Sequence, residues 1–382
     1  MTNFETLNDM FEKGKDFYKM FNQYGDDAIR YALLRSLDNP NLEEFLGDRI
    51  DTSSKKNLLK NAYNSNVTIE ETEKYIMSKK DEILEERKFN EEFLLSIVEE
   101  MDIVNCGIRN DQVDDIIKPF VRNKNFTSLE EMTTNLDNNL VPRIRNYVYW
   151  SYFNQLSNDL IENSFYSHPS IIPTLRKIHD IDFFIKIDNK IIPFDLKITH
   201  ISDEFFNKYS EGLISSDSND SFVSNEDENE IQIIKNIYKK FKNDLNLPNY
   251  GRLSKLELLT ILKEQNNDEI NNNLTTIFEN RSSMIDDINN NITTLEWWNY
   301  KYQGERLFSN NNRFFVFLAH KNSFEDGKDL KKNIIEIRDK IKNKLDNLTL
   351  ADVHTIRYIY EKDQKVNGNY LINCISILIA KE

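Results

Sequence analysis

Through residues 1–140 apolar side chains recur at helical spacing with charged residues between them, and glycine and proline are scarce. Segments such as RYALLRSLDN and NEEFLLSIVEEMDIV predict a mainly helical N-terminal region. NVTIEETEKYIMSKKDEILEERK predicts a charge-laced helix opening with a threonine and an acidic cap. VPRIRNYVYWSYFNQLSNDLIENSF (141–165) predicts a helix with proline near its start and an aromatic face through Tyr147, Trp150 and Phe153. The period then shortens to two in IHDIDFFIKIDNKIIPFDLKIT (178–199), which predicts two strands around a turn. Residues 214–229 predict a mobile Ser/Asn/Asp loop. EIQIIKNIYKKFKNDL predicts an amphipathic helix with a basic face, and the Asn-rich stretch 264–293 shows no clear period. NNRFFVFLAH (311–320) predicts a buried strand, KDLKKNIIEIRDKIKNKL a helix and YLINCISILIAK a final strand. The expected class is α/β (α+β mixed). A mainly helical region over 1–140, serving recognition, regulation or dimerisation, precedes a mixed central sheet flanked by helices over 141–382.

The hairpin holds the candidate chemistry. With Asp188-Asn189 as a two-residue turn, Ile187 meets Lys190, Ile185 meets Ile192 and Phe183 meets Phe194. Alternation puts Ile181, Phe183, Ile185, Ile187, Ile192, Phe194, Leu196 and Ile198 on one apolar face that must pack on a core. The other face carries Asp180, Asp182, Phe184 and Lys186 opposite Lys197, Asp195, Pro193 and Ile191. Asp182 then faces Asp195 at a non-hydrogen-bonded position, with Cα atoms about 4.5 Å apart. Like charges directly opposite destabilise a sheet, so two such carboxylates should share a proton or hold a cation. With Lys197 two residues beyond Asp195, they make a hard-oxygen site suited to Mg²⁺ with an adjacent ammonium. As a plain amphipathic hairpin, the same face would be solvated, with Asp180–Lys197 a surface ion pair worth little.

A helix, a strand bearing Asp, then a strand bearing Asp-Leu-Lys resembles the PD-(D/E)xK nuclease superfamily, the restriction-endonuclease-like fold. The resemblance covers roughly residues 143–200, with a looser fit of the following helix and the 313–319 strand. It implies Asp182, Asp195 and Lys197 as catalytic residues, with Asp180 as an alternative first acid. It also implies a helix acid, Glu162 or, close behind, Asp159, joining Asp182 and Asp195 around the metal. The tripeptide alone carries little weight, because Asp329-Leu330-Lys331, Asp363-Gln364-Lys365, Asp326-Gly327-Lys328 and Glu86-Arg87-Lys88 repeat it without a facing acid.

Other motifs add less. Trp297, Trp298 and the Tyr300–Arg306 stretch interleave aromatics with Lys301 and Arg306, which suits base stacking and phosphate contact or, slightly better, a core-edge aromatic cluster. Arg143 and Arg145 are equally ready to contact a DNA backbone or to cap the surface. The basic faces of 235–242 and 328–344 read first as solvated helix surfaces. The five histidines are scattered, and His179 and His200 flanking the hairpin read as peripheral.

The chain has 382 residues and a net charge of −15, which argues against a polyanion-binding surface over the whole molecule but not against a local groove. Cys106 and Cys374 have no metal-ligand spacing, no run approaches the roughly 18 apolar residues of a membrane span, and the polar, mixed-charge opening MTNFETLNDMFEKGKDF is not expected to act as a signal peptide. A cytoplasmic setting is expected. The resemblance implies a Mg²⁺-dependent endonuclease on double-stranded DNA, most simply a sequence-specific type II restriction enzyme. Such a protein would act as a homodimer, with a cognate DNA methyltransferase encoded nearby. The alternatives are an anti-phage effector nuclease switched on by a partner or ligand, or a non-catalytic DNA-binding protein on a nuclease-like fold.

Overall fold

The computed structural model describes residues 2–14, 17–88, 91–101, 128–210, 212, 214, 230–253, 255–304, 308–323 and 327–381. Seven helices come first: α1 (Phe4–Lys13), α2 (Phe17–Arg35), α3 (Asn39–Leu46), α4 (Leu58–Asn64), α5 (Ile69–Ser78), α6 (Lys80–Lys88) and α7 (Glu91–Glu100). After α8 (Leu129–Asn135) and the long α9 (Val141–Tyr166) come β1 (Ile171–Ile178), β2 (Ile181–Ile187) and β3 (Lys190–His200). Five helices follow around β4 (Arg313–His320): α10 (Asp203–Ser210), α11 (Glu230–Lys242), α12 (Lys255–Glu264), α13 (Asp268–Asn290) and α14 (Ile292–Lys301). Then come α15 (Ile334–Asp346), β5 (His354–Tyr360) and β6 (Gly368–Lys381).

The six strands form one mixed sheet in the order β1-β2-β3-β4-β6-β5. β1, β2 and β3 pair antiparallel, β3–β4 and β4–β6 are parallel, and β5 returns antiparallel on β6. β4 is buried at all eight residues, as a central strand covered on both faces requires.

The expected hairpin register holds from Ile187↔Lys190 to Phe183↔Phe194. One face of the sheet, with Phe183, Ile185, Phe194, Phe314, Val316 and Ile375, packs under α9 and α15. Phe165 stacks on Phe183 at 4.8 Å, and Trp150 and Phe153 put the aromatic side of α9 into this core. The opposite face is covered twice. The N-terminal helices close over Ile172, Ile181 and Phe184, and α10, α14 and the end of α13 close over Phe315, Phe317, Tyr358 and Ile372. The helices of residues 1–140 therefore share their core with the hairpin. α7 contributes Val98 to the α9 side, and buried Lys80 donates to the carbonyls of His168 (2.6 Å) and Ile171 (2.8 Å), tying α6 to the entry of β1.

Several expectations change. Ile181 leaves the apolar face assigned to it and joins the N-terminal core, because it follows Asp180, whose φ of 63° turns the chain between β1 and β2. The capped helix near Thr68 is two helices, α5 and α6, and its capping box is present. The Asn-rich stretch is mostly α13, capped by Asn267, with Ile270, Leu274, Ile277, Ile285 and Ile288 buried on one side. β1 and β5 are additional strands. Of the expected 214–229 loop, all but Ile214 lies outside the described residues.

Candidate active site

The two acids stand on the sheet face between its two helical covers. Lys197 is in register with Phe315 and Asp195 with Arg313, so the site lies at the seam between the N-terminal and α10–α14 layers. Past Phe183 the hairpin ladder gives way to side chains. The Asp182 carbonyl accepts the hydroxyls of Tyr166 (2.9 Å) and Thr174 (3.1 Å), while its carboxylate accepts the backbone N–H of Leu196 at 2.7 Å. Asp182 thus reaches the middle of Asp195-Leu196-Lys197.

The electrostatics follow from this crowding. Burial first, and then the charge of Asp195, push the Asp182 carboxyl up to about 7 against the opposing Leu196 N–H. Burial also raises Asp195, opposed chiefly by the Arg313 guanidinium and by a hydrogen bond from the Asn311 side chain. Burial lowers the Lys197 ammonium, and Arg313 lowers it further. All three groups hold their charged forms less firmly than they would in water.

Sequence reasoning missed the residues that frame this trio. Arg313, only 5 % exposed, sets its Nε 3.5 Å from Asp195 Oδ2 and donates through Nη2 to Gln303 at 3.2 Å. Asn311 accepts from Ser309 Oγ (2.7 Å) and donates to the Asp180 carbonyl (3.1 Å). A charge at the head of the buried FFVFLAH run was the available signal for Arg313. Its partner lies more than a hundred residues earlier, so spacing could not reveal the contact.

The structure places the alternative acids differently. Asp180 belongs to the β1–β2 turn, where Ser309 Oγ (2.8 Å) and His179 Nδ1 (2.5 Å) contact its carboxylate. No Asp180–Lys197 ion pair forms among the described residues. Asp180 acts on Asp195 through its charge, which pushes that carboxyl up, and it anchors Asn311 through its carbonyl. Of the two helix acids, Glu162 is linked to Asp182 only indirectly, through the Tyr166 hydroxyl and its charge. Its Oε1 lies 3.0 Å from the Tyr166 hydroxyl and 3.3 Å from Arg87 Nη1, and its charge helps raise Asp182. Asp159 accepts from Gln155 on an exposed face. Among the described residues no three His, Cys, Asp or Glu side chains come close enough to form a ready metal cluster. Glu162, held by Tyr166 and Arg87, stays apart from the Asp182–Asp195 pair.

The remaining candidates lie outside this centre. Arg143 and Arg145 are exposed on the opening turns of α9, and Arg145 is roughly 25 Å along the helix from Glu162. Lys301 rests 4.9 Å from the Trp297 ring, while Trp297, Trp298 and Tyr300 are core residues. Arg306 lies outside the described residues. On 328–344, Lys331 is buried on Asn154 and Asn158 and Lys344 pairs with Asp352, so that basic face is partly spent inside the fold. In the look-alike Asp329-Leu330-Lys331, Asp329 meets His320, and no acid faces it across a hairpin.

No helix among the described residues is long and apolar enough to cross a membrane. Comparison of the chain with protein-family models, with curated proteins and with solved structures returned no match.

Proposed function

We propose that this chain is a Mg²⁺-dependent endonuclease of the PD-(D/E)xK type that hydrolyses phosphodiester bonds of double-stranded DNA. The restriction-endonuclease-like core of this reading consists of α9, β1–β4 and β6. One observation carries it: the Asp182 carboxylate is seated on the N–H of Leu196, between Asp195 and Lys197 on an interior strand.

Two carboxylates suffice for the metal, since Mg²⁺ keeps several waters and is usually held by one or two carboxylates plus substrate phosphate. Asp182 and Asp195 would hold it, and the raised Asp182 carboxyl is the mark of a pair that needs a cation or a proton. When bound, the metal activates water and offsets charge at the phosphate. Lys197, its ammonium weakened by burial, is suited to orient the attacking water and exchange a proton with it. Arg313 favours the ionised form of Asp195. The setting that fits best is sequence-specific type II restriction by a homodimer, paired with a cognate methyltransferase.

The test is digestion of a sequenced phage genome by the purified protein in Mg²⁺, with Asp195→Ala and Lys197→Ala alongside. Discrete ends sharing one short motif, lost in both variants, are expected. A smear, or cutting only after an activator is added, would shift the setting to an effector nuclease. Near wild-type cutting by either variant, or no cutting with any divalent metal, would overturn the assignment.

A further inference from the structure

A cavity of about 260 Å³ is walled by α6, the start of α7, the end of α9 and α15. Arg87, Lys88, Arg338 and Lys342 line it against only two carboxylates, Glu91 and Asp339, and Asn163 and Ser164 add neutral polar groups. Its two arginines are fixed at the wall. Arg338 Nε donates to Ser164 Oγ at 3.2 Å and its guanidinium pairs with Glu91. Arg87 donates to Asn163 Oδ1 at 2.7 Å and lies 4.1 Å over the Tyr166 ring. Lys88 and Lys342 are exposed and make no ion pair among the described residues.

An excess of cations held around a small hollow with hydroxyl and amide groups complements a tetrahedral oxyanion, which arginine binds through paired N–H donors. The volume falls below the roughly 300–1,000 Å³ that encloses a drug-sized ligand. It therefore suits a phosphate or diphosphate head whose remainder stays outside. Arg87 is also the link to the candidate site, because its Nη1 reaches Glu162 at 3.3 Å. That contact is longer than the roughly 2.7–2.9 Å of a tight charge-assisted bond, so a stronger anion can take the guanidinium.

We propose that this cavity binds the phosphoryl group of a small phosphorylated ligand and that the bound anion draws Arg87 away from Glu162. Release of Glu162 from Arg87 would matter to the neighbouring Asp182 only on the nuclease reading, on which the binding itself does not rest. Coupling is reciprocal, so whatever frees Arg87 from Glu162 must strengthen anion binding.

The experiment is calorimetric titration of the full chain with inorganic phosphate, without DNA or divalent metal. Saturable one-to-one binding is expected. Lys88→Glu with Lys342→Glu should weaken it about tenfold or more, whereas Lys340→Glu, exposed on the same helix but off the cavity, should leave it nearly unchanged. Glu162→Gln should tighten it about fivefold or more by removing the competitor for Arg87. Absence of saturable binding, equal weakening by Lys340→Glu, or unchanged affinity in Glu162→Gln would overturn the proposal. Since no step involves cleavage, a chain that fails to cut DNA leaves this result standing.

Discussion

The carboxylate of Asp182 accepts the backbone N–H of Leu196 at 2.7 Å, so a β2 side chain fills the place of a main-chain acceptor beside β3. That bond favours the ionised carboxylate, while burial and the neighbouring Asp195 favour the neutral acid. The latter two win, and the carboxyl titrates near 7.

Asp182→Asn should therefore stabilise the metal-free protein at alkaline pH. The unfolded chain releases this proton near pH 4 and the folded chain only near 7. Stability accordingly falls as pH rises between the two, by as much as roughly 4 kcal/mol at about 1.36 kcal/mol per pKa unit. Thermal melts in EDTA should place the variant above wild type at pH 8, by less at pH 5, and close to it at pH 4. Added Mg²⁺ at pH 8 should raise the wild-type melting temperature more than that of the variant. A variant that melts far lower at pH 8 without metal would mean that the Asp182–Leu196 bond outweighs the repulsion.

Phe194→Ala tests the other face of the same hairpin. Phe194 is fully buried, in register with Phe183 and in the core beneath α9. Deleting the ring should cost about 3–5 kcal/mol, measured by urea unfolding. A loss below about 1 kcal/mol would be incompatible with a fully packed site.

A second pH effect comes from the β5–β6 end of the sheet, under α14. Fully buried Glu296 accepts from Ser376 Oγ at 2.5 Å, and both its carboxylate oxygens lie 3.0 Å from His354 Nδ1. The hydrogen bond to Glu296 raises the imidazolium of His354, with burial opposing. This stabilisation is fully present below the unfolded value, about 6.5, and is lost as pH rises through the folded one. His354→Gln should thus destabilise by about 1–2 kcal/mol at pH 5.5 and by clearly less at pH 9. Equal losses at both pH values would show that the imidazole acts through packing alone.

The hairpin was legible in the sequence because its determinants are local. Asp188-Asn189 supplies the turn, two-residue alternation sorts the faces, and together they set the register that pairs Phe183 with Phe194. Placing Asp182 near Asp195 and Lys197 needed nothing further. β4 was legible as an unbroken apolar run, and α5 through its Thr68 cap. The charged tail of β1 hid its strand character, which comes from pairing with β2. The alternation in HTIRYIY marks β5, with Ile356, Tyr358 and Tyr360 buried on one face. In α13, asparagines of weak helix propensity masked a buried isoleucine and leucine stripe that becomes decisive only against other helices.

Tertiary structure decided the rest, because it depends on contacts that no spacing encodes. The β3–β4 register brings Arg313 to Asp195 across more than a hundred residues, and the β1–β2 turn removes Asp180 from the strand. The packing of α6 against α9 gives Glu162 its arginine. Local chemistry along the chain determined which residues would carry charge on an apolar sheet. Burial between helical layers, which only the folded chain supplies, determined how weakly that charge is held.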